Sequence, residues 1–309
     1  MEELKEMIPK HPHMFDEILG QGCGHRWLDY EWRDVALYNI AVGCTRDDLN
    51  YVFEKAKGGF KAIPTFGVIP YINTILIKPP TKEPYGPNEI LVNFIAKGLG
   101  GQFPNRLHMA EEIIFHKPIN AMGGTFLIED FVEKVYDWGD RGVVGIMREE
   151  VMDRGGNPVC TLNGTHWHKA FGNFGGEKYV SPKVEFPDRE PDYHLVEFLP
   201  ANTALLYRLV GDTYQVHIDP EVSGRRGYEH PFMQGLGTLG YATRMLIMAI
   251  IPTEPERVTR VYGQMRKVCV PGQNVHLKAW KLREGVIHYR LEQDNGDVLL
   301  GNGVLEYKA

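Results

Sequence analysis

Asp212 and His217 stand five residues apart in GDTYQVHIDPEVSGRRGYEHPFMQGLG, the stretch from Gly211 to Gly237. A carboxylate with an imidazole titrating near ~6.5 supplies the two groups general acid-base chemistry needs, provided both face one cavity and hold a water between them. The spacing equally suits a plainer arrangement, with Asp212 capping a turn and His217 a satisfied, half-buried histidine. Downstream, Gly235, Gly237 and Gly240 spell GxGxxG. A dinucleotide site needs a strand before that motif, a βαβ unit around it and an acidic residue about 20 positions on. Here HPFMQ precedes the glycines and strands with an antiparallel pattern follow, so a nucleotide is not expected. A glycine at a helix start can also bring a free backbone N–H against a thioester carbonyl, which makes Gly235 a candidate oxyanion donor. Glycines that merely let the helix approach the sheet explain the motif as well.

Other side chains carry weaker signals. Arg225 and Arg226 precede the helix start, where guanidinium groups reach phosphates, although a solvated basic loop fits equally. His166 and His168 sit at a strand period without Cys or carboxylate partners, so packing is expected and a metal is not. Asn163-Gly164-Thr165 matches a glycosylation acceptor, with no secretory signal beside it. Cys23, Cys44, Cys160 and Cys269 are scattered without CxxC pairing and read as reduced thiols.

The scaffold for these residues follows from length and pattern. A chain of 309 residues suits two units, and 43% hydrophobic with 24% charged residues is a globular composition. Net charge is -6 and no Lys/Arg run is interleaved with aromatics, which argues against a nucleic-acid partner but leaves a small anion such as coenzyme A open. The N-terminal MEELKEMIPK has no apolar h-region, and the longest apolar stretch, Met245 to Ile251, is too short for a bilayer. The final EYKA is unlike a peroxisomal SKL address, so no membrane and a cytoplasmic location are expected.

Gly, Pro and charge crowd the segment between Gly175 and His194, dividing the chain into 1–175, a linker 176–193, and 194–309. In the last part, runs at Val275 to Leu282, Val286 to Gln293 and Val298 to Tyr307 read as strands, with an Asn295-Gly296 hairpin signal between the last two. The run from Pro231 to Ile250 reads as a buried helix. The first part repeats the strands at Phe126 to Val135, Val143 to Val151 and Val159 to Lys169, which suggests an internal duplication. It lacks an equally clear helix, since Ala41 to Ala56 is short and polar, while Pro64 to Pro84 and Leu99 to Phe115 read as irregular pocket segments. An α+β fold of two sheets, each wrapping a helix, is expected, the N-terminal helix being degenerate.

The stretches DVALYNIAVG, AIPTFGVIP, FHKPI, THWHKAFGNFGGE, LLYRLVGDTYQVHIDP, GLGTLGYATR and GNGVLEY occur in order from Glu31 to the C-terminus. In this the chain resembles the type-2 enoyl-CoA hydratases, the MaoC-like double hot-dog proteins. The resemblance implies reversible addition of water to a trans-2-enoyl-CoA, giving the (R)-3-hydroxyacyl-CoA without metal or redox cofactor. It also implies Asp212 and His217 as the acid-base pair, Gly235 as the oxyanion N–H, and an acyl tail lodged in the first half. Family motifs usually carry Asn and Pro where Tyr214 and Gln215 stand, and His where Gln234 stands; Tyr214 and Gln234 are therefore expected at the substrate, the phenol partly replacing the Asn. The HGEQ-like stretch is His108-Met109-Ala110-Glu111, with its Glu out of the usual register. An acyl-CoA thioesterase and a non-catalytic acyl-thioester binding subunit are the alternatives. Monomer and homodimer are both compatible.

Overall fold

The computed structural model describes residues 10–22, 24–76 and 87–309; Cys23 and part of the proline-rich stretch, 77–86, lie outside the described residues. Among these residues ten antiparallel strands form one sheet. In the first half these are β1 (Arg26–Glu31), β2 (Asn105–Phe115), β3 (Gly123–Asp137), β4 (Val143–Asp153) and β5 (Pro158–Lys169). The second half supplies β6 (Tyr193–Leu199), β7 (Val258–Met265), β8 (Gln273–Arg283), β9 (Val286–Gln293) and β10 (Val298–Tyr307). Their order is β1-β3-β4-β5-β2-β7-β10-β9-β8-β6. Each half therefore runs first, third, fourth, fifth, second from its outer edge inward, and the halves meet edge to edge at β2 and β7. The suspected duplication is explicit in this order, and the architecture is the α+β double hot dog.

Apart from a single turn at Leu49–Val52, the α-helices among the described residues are α1 (Trp32–Ala41), α2 (Ile69–Leu76), α3 (Pro87–Gly98), α4 (Thr203–Leu209), α5 (Pro220–Arg225) and α6 (Gly235–Ile250). From Leu236 to Ile247 α6 is buried without a break, as a helix apolar on all sides must be. In the first half the corresponding place is taken by a 3-10 turn at Pro64–Val68, then α2 and α3. The helix is broken there, yet Pro64 to Pro84 is not irregular throughout. Residues 64–76 are helical because Pro64 opens the first turn, where no N–H is needed, and the apolar residues that follow bury against β1 and β3. Leu99 to Phe115 is corrected as well, since residues 105–115 are the innermost strand of the first half.

Two of the GxGxxG glycines have a packing role directed at helices, not at the sheet. A Cβ on Gly240 would lie 2.7 Å from Tyr38 Oη and 2.7 Å from Val42 Cγ1, beside α1. One on Gly237 would meet the Tyr207 ring of α4 at 3.0 Å. Arg244, also on α6, donates to Glu197 of β6 at 2.8 Å and to the Val42 carbonyl at 3.2 Å, so the helix is fixed to both halves.

Residues 176–193 cross the outer face of the junction. Gln264 Nε2 donates to the Pro182 carbonyl at 2.9 Å, Trp280 Nε1 donates to the Arg189 carbonyl at 2.9 Å, and Val184 packs against Ala110, Tyr262 and Val304. Cys44, Cys160 and Cys269 are buried and unbridged.

Close packing at Gly240 sets the first expectation. Gly240→Leu overfills the α6–α1 contact and lowers unfolding free energy by about 1–3 kcal/mol in a urea titration. Gly235→Ala, whose Cβ meets only the flexible Met265 side chain at 3.3 Å, stays near wild type.

Candidate functional site

After α4 the chain turns at Gly211, whose φ of 133° favours glycine, and delivers Asp212 to a cavity between the two halves. The Tyr214 N–H donates to Asp212 Oδ1 at 3.2 Å, bending the backbone into the 3-10 turn Gln215–His217. His217 is oriented by its Nδ1, 2.9 Å from the Phe232 carbonyl, and by the Phe232 ring, edge-on at 5.0 Å. A carbonyl can only accept, so Nδ1 carries the hydrogen and Nε2 is the lone-pair nitrogen. Asp219 then caps α5, accepting from the Glu221 N–H at 2.9 Å.

The cavity holds about 390 Å³, within the usual range for small-molecule sites. Asp212, His217 and Gly235 all line it. Gly235 is the first residue of α6, and Gln234 before it makes no side-chain cap, so the first-turn N–H groups meet the cavity without an intrahelical acceptor. Burial raises the Asp212 carboxyl above the ordinary aspartate range, offset by His217 and by the Tyr214 N–H. Burial likewise lowers the His217 imidazole, offset by Asp212. Low dielectric thus pushes each group toward its neutral form while the two favour each other's charge. A water between them would meet both an acceptor and a proton carrier. Beside it, the helix terminus presents N–H dipoles to an oxygen that gains negative charge.

The remaining expected site residues divide. Arg226 and Tyr214 line the cavity, but the phenol oxygen accepts from Arg226 Nη2 at 2.5 Å, with the guanidinium 5.2 Å from its ring centroid. Tyr214 is 42% exposed, so its oxygen serves the rim and does not replace the missing Asn over Asp212. Arg225 points away, pairing with Glu221 at 3.4 Å. Gln234 is buried behind the wall, where Nε2 donates to the Ala204 carbonyl at 3.3 Å. Neither Arg225 nor Gln234 lines the cavity.

The sequence reading placed Pro64 to Pro84 and Leu99 to Phe115 at the pocket but did not identify which first-half side chains face it. Tyr71, Arg106, His108 and His166 line the cavity opposite Asp212, with Arg266 and Lys267 from the end of β7. Arg106 is ion-paired to Glu89. His108 lies 3.0 Å from Glu111, although residues three apart on a regular strand face opposite ways. The register of β2 against β5 shifts between His108 and Ala110, and this bulge at Met109 returns Glu111 to the face of His108. No rule of spacing shows such a bulge in advance. His166 stacks on His108 with ring centroids 4.5 Å apart, whereas His168 is fully buried with neither ring nitrogen hydrogen-bonded. Among the described residues no cluster of three or more His, Cys, Asp or Glu is arranged to hold a metal ion.

The fold has counterparts among known proteins. Residues 28–168 match the model of the MFE-2 hydratase 2 N-terminal domain. The chain is 29% identical to the "Probable enoyl-CoA hydratase 2" of Dictyostelium discoideum, covering 88% of this chain and 89% of that one. It is 28% identical to the "3-hydroxyacyl-thioester dehydratase Y" of Mycobacterium tuberculosis, covering 91% and 94%. The crystal structure of a MaoC-like dehydratase from Phytophthora capsici superposes with a TM-score of 0.80 at 23% identity, over 95% of this chain and 98% of that one.

Burial pushes His168 down to about 3, so the folded protein keeps it neutral where the unfolded chain takes up a proton. Its contribution to stability is whole above the unfolded value of ~6.5 and is lost as pH falls from there toward the folded value. His168→Leu removes that loss. Between pH 6 and 4 its unfolding free energy, from urea titrations, falls less steeply than wild type by up to about 1.4 kcal/mol per pH unit.

Proposed function

We propose that the chain is a member of the type-2 enoyl-CoA hydratase and MaoC-like dehydratase family, that it hydrates a trans-2-enoyl-CoA to the (R)-3-hydroxyacyl-CoA, and that it catalyses the reverse dehydration. The observation that carries the assignment of residues is the meeting of Asp212, His217 and the N-terminus of α6 on one cavity wall. In the hydration direction the thioester carbonyl accepts from the Gly235 N–H, which draws electron density from the double bond and makes the β-carbon electrophilic. Water adds its oxygen there. Asp212 and His217 share the proton transfers, one proton leaving the water and one arriving at the α-carbon, so no redox equivalent is consumed. Arg226, Arg266 and Lys267, which also line the cavity, offer cations to the phosphates of coenzyme A. The proposal includes a cytoplasmic location and a monomeric or homodimeric state.

The test follows the enoyl-thioester absorbance of short, medium, branched and aromatic trans-2-enoyl-CoAs. Wild type consumes at least one of them with a hydroxyacyl product. Asp212→Asn lowers kcat by about 10²–10⁴-fold, as expected for loss of a general acid-base group. Release of free CoA thiol would indicate a thioesterase, and binding without turnover, unaltered in Asp212→Asn, would indicate a binding subunit.

A further inference from the structure

A second oriented imidazole enters the cavity from the opposite half. His108 Nε2 lies 3.0 Å from Glu111 Oε2 and 3.0 Å from the Ala110 carbonyl oxygen. Two acceptors at one nitrogen require it to carry the hydrogen, which leaves the Nδ1 lone pair of the neutral ring to meet a ligand. His166 stacks on the ring at an interplanar angle of 12°, so rotation is blocked from the side. A Cβ on Gly164, the β5 residue paired with Glu111, would sit 3.3 Å from Glu111 Oε2 and 3.0 Å from His166 Nε2; glycine there leaves room for both groups.

This arrangement is costly to maintain. Glu111 is 5% exposed, and burial raises its carboxyl, with His108 acting against that rise. A buried carboxylate held against an imidazole by a strand bulge is the arrangement that fixes a working histidine in one tautomer and one direction. His108 and His166 line the same cavity as Asp212 and His217. Tyr214, at the position where a water-holding amide would otherwise be expected, is engaged by Arg226 at the rim.

We propose that His108, locked by Glu111 and His166, is a water-positioning residue of this site, its Nδ1 accepting one O–H of the water whose other proton goes to Asp212. No proton or bond is transferred to His108; it orients the oxygen lone pair toward the β-carbon. The inference rests on the hydratase reading.

Steady-state hydration of the trans-2-enoyl-CoA used by wild type, with the full chain, tests it in His108→Phe, His108→Asn, Glu111→Gln and Asp212→Asn. His108→Phe is expected to lower kcat by about 10²-fold, the scale of losing one oriented hydrogen-bonding group at a reaction centre, with KM little changed. His108→Asn offers an amide oxygen near the Nδ1 position and recovers about tenfold of that loss. Glu111→Gln falls between wild type and His108→Phe.

Wild-type kcat in His108→Phe, with Asp212→Asn inactive, would overturn the role of His108 and leave the hydratase reading standing. Equal losses in folded His108→Phe and His108→Asn would reduce His108 to packing and overturn it too. If His108→Phe does not fold, the ordering of wild type, Glu111→Gln and His108→Asn decides by the same criteria. A wild type that hydrates nothing in the panel would overturn the hydratase reading first and the water-positioning role with it.

Discussion

The pairing of β2 with β7 is the constraint on which the rest of the molecule depends. Ala110 to Ile114 run against Gln264 to Arg260, so the last strand of one half continues the ladder of the other and neither presents a free edge there. Across the outer face Arg260 donates to Glu112 at 2.7 Å and to Glu306 at 2.9 Å, tying three strands together. On the inner face the same register brings Glu111 opposite Gly263. Because β2 carries His108 and β7 ends at Met265, beside Gly235, this seam also sets the distance between the two walls of the cavity.

The halves share a topology but have divided the work. The second keeps a continuous buried helix whose uncapped start faces the cavity. The first has broken its equivalent into a 3-10 turn, α2 and α3, which leaves Tyr71 and Ile72 on the cavity wall. A continuous apolar helix in both halves would bury more surface and leave less room. Loss of regular structure in one copy therefore opens the volume that the intact copy lines with its helix terminus.

Polar groups in this interior are held by unequal means. His217 is directed by one backbone carbonyl and one aromatic edge, Asp212 by a backbone N–H, and His108 by a carboxylate placed through a strand bulge. Burial works against charge on Asp212, Glu111, His166 and His217 alike. A fold selected for stability alone would replace such groups with apolar side chains, since partners in low dielectric rarely repay desolvation in full. Their concentration around one cavity marks where stability has been exchanged for chemistry.

Sequence by itself determined what local pattern can encode. Alternation gave six of the strands, with Val286 to Gln293 and Val298 to Tyr307 correct to the residue, and an all-round apolar run gave α6. Asp212, His217 and Gly235, which line one cavity, could be picked out as candidates because they lie within one segment of chain. Tertiary structure alone decided the rest. Whether a helix-start glycine faces ligand or neighbour depends on what packs against it, and here Gly235 meets the cavity while Gly240 meets Tyr38. Tyr214 turned to Arg226, and Arg225 and Gln234 left the wall, because orientation follows from the path of the loop and not from motif position. Which side chains of β2 face the cavity was hidden because one extra residue at Met109 reverses the strand's parity, and that bulge is fixed by pairing with β5, where His166 lies 58 positions from His108 and Thr165 lies 55 from Ala110. Local pattern reports which residues are apolar or reactive, but which of them share a face across a seam is settled only when the two halves close on each other.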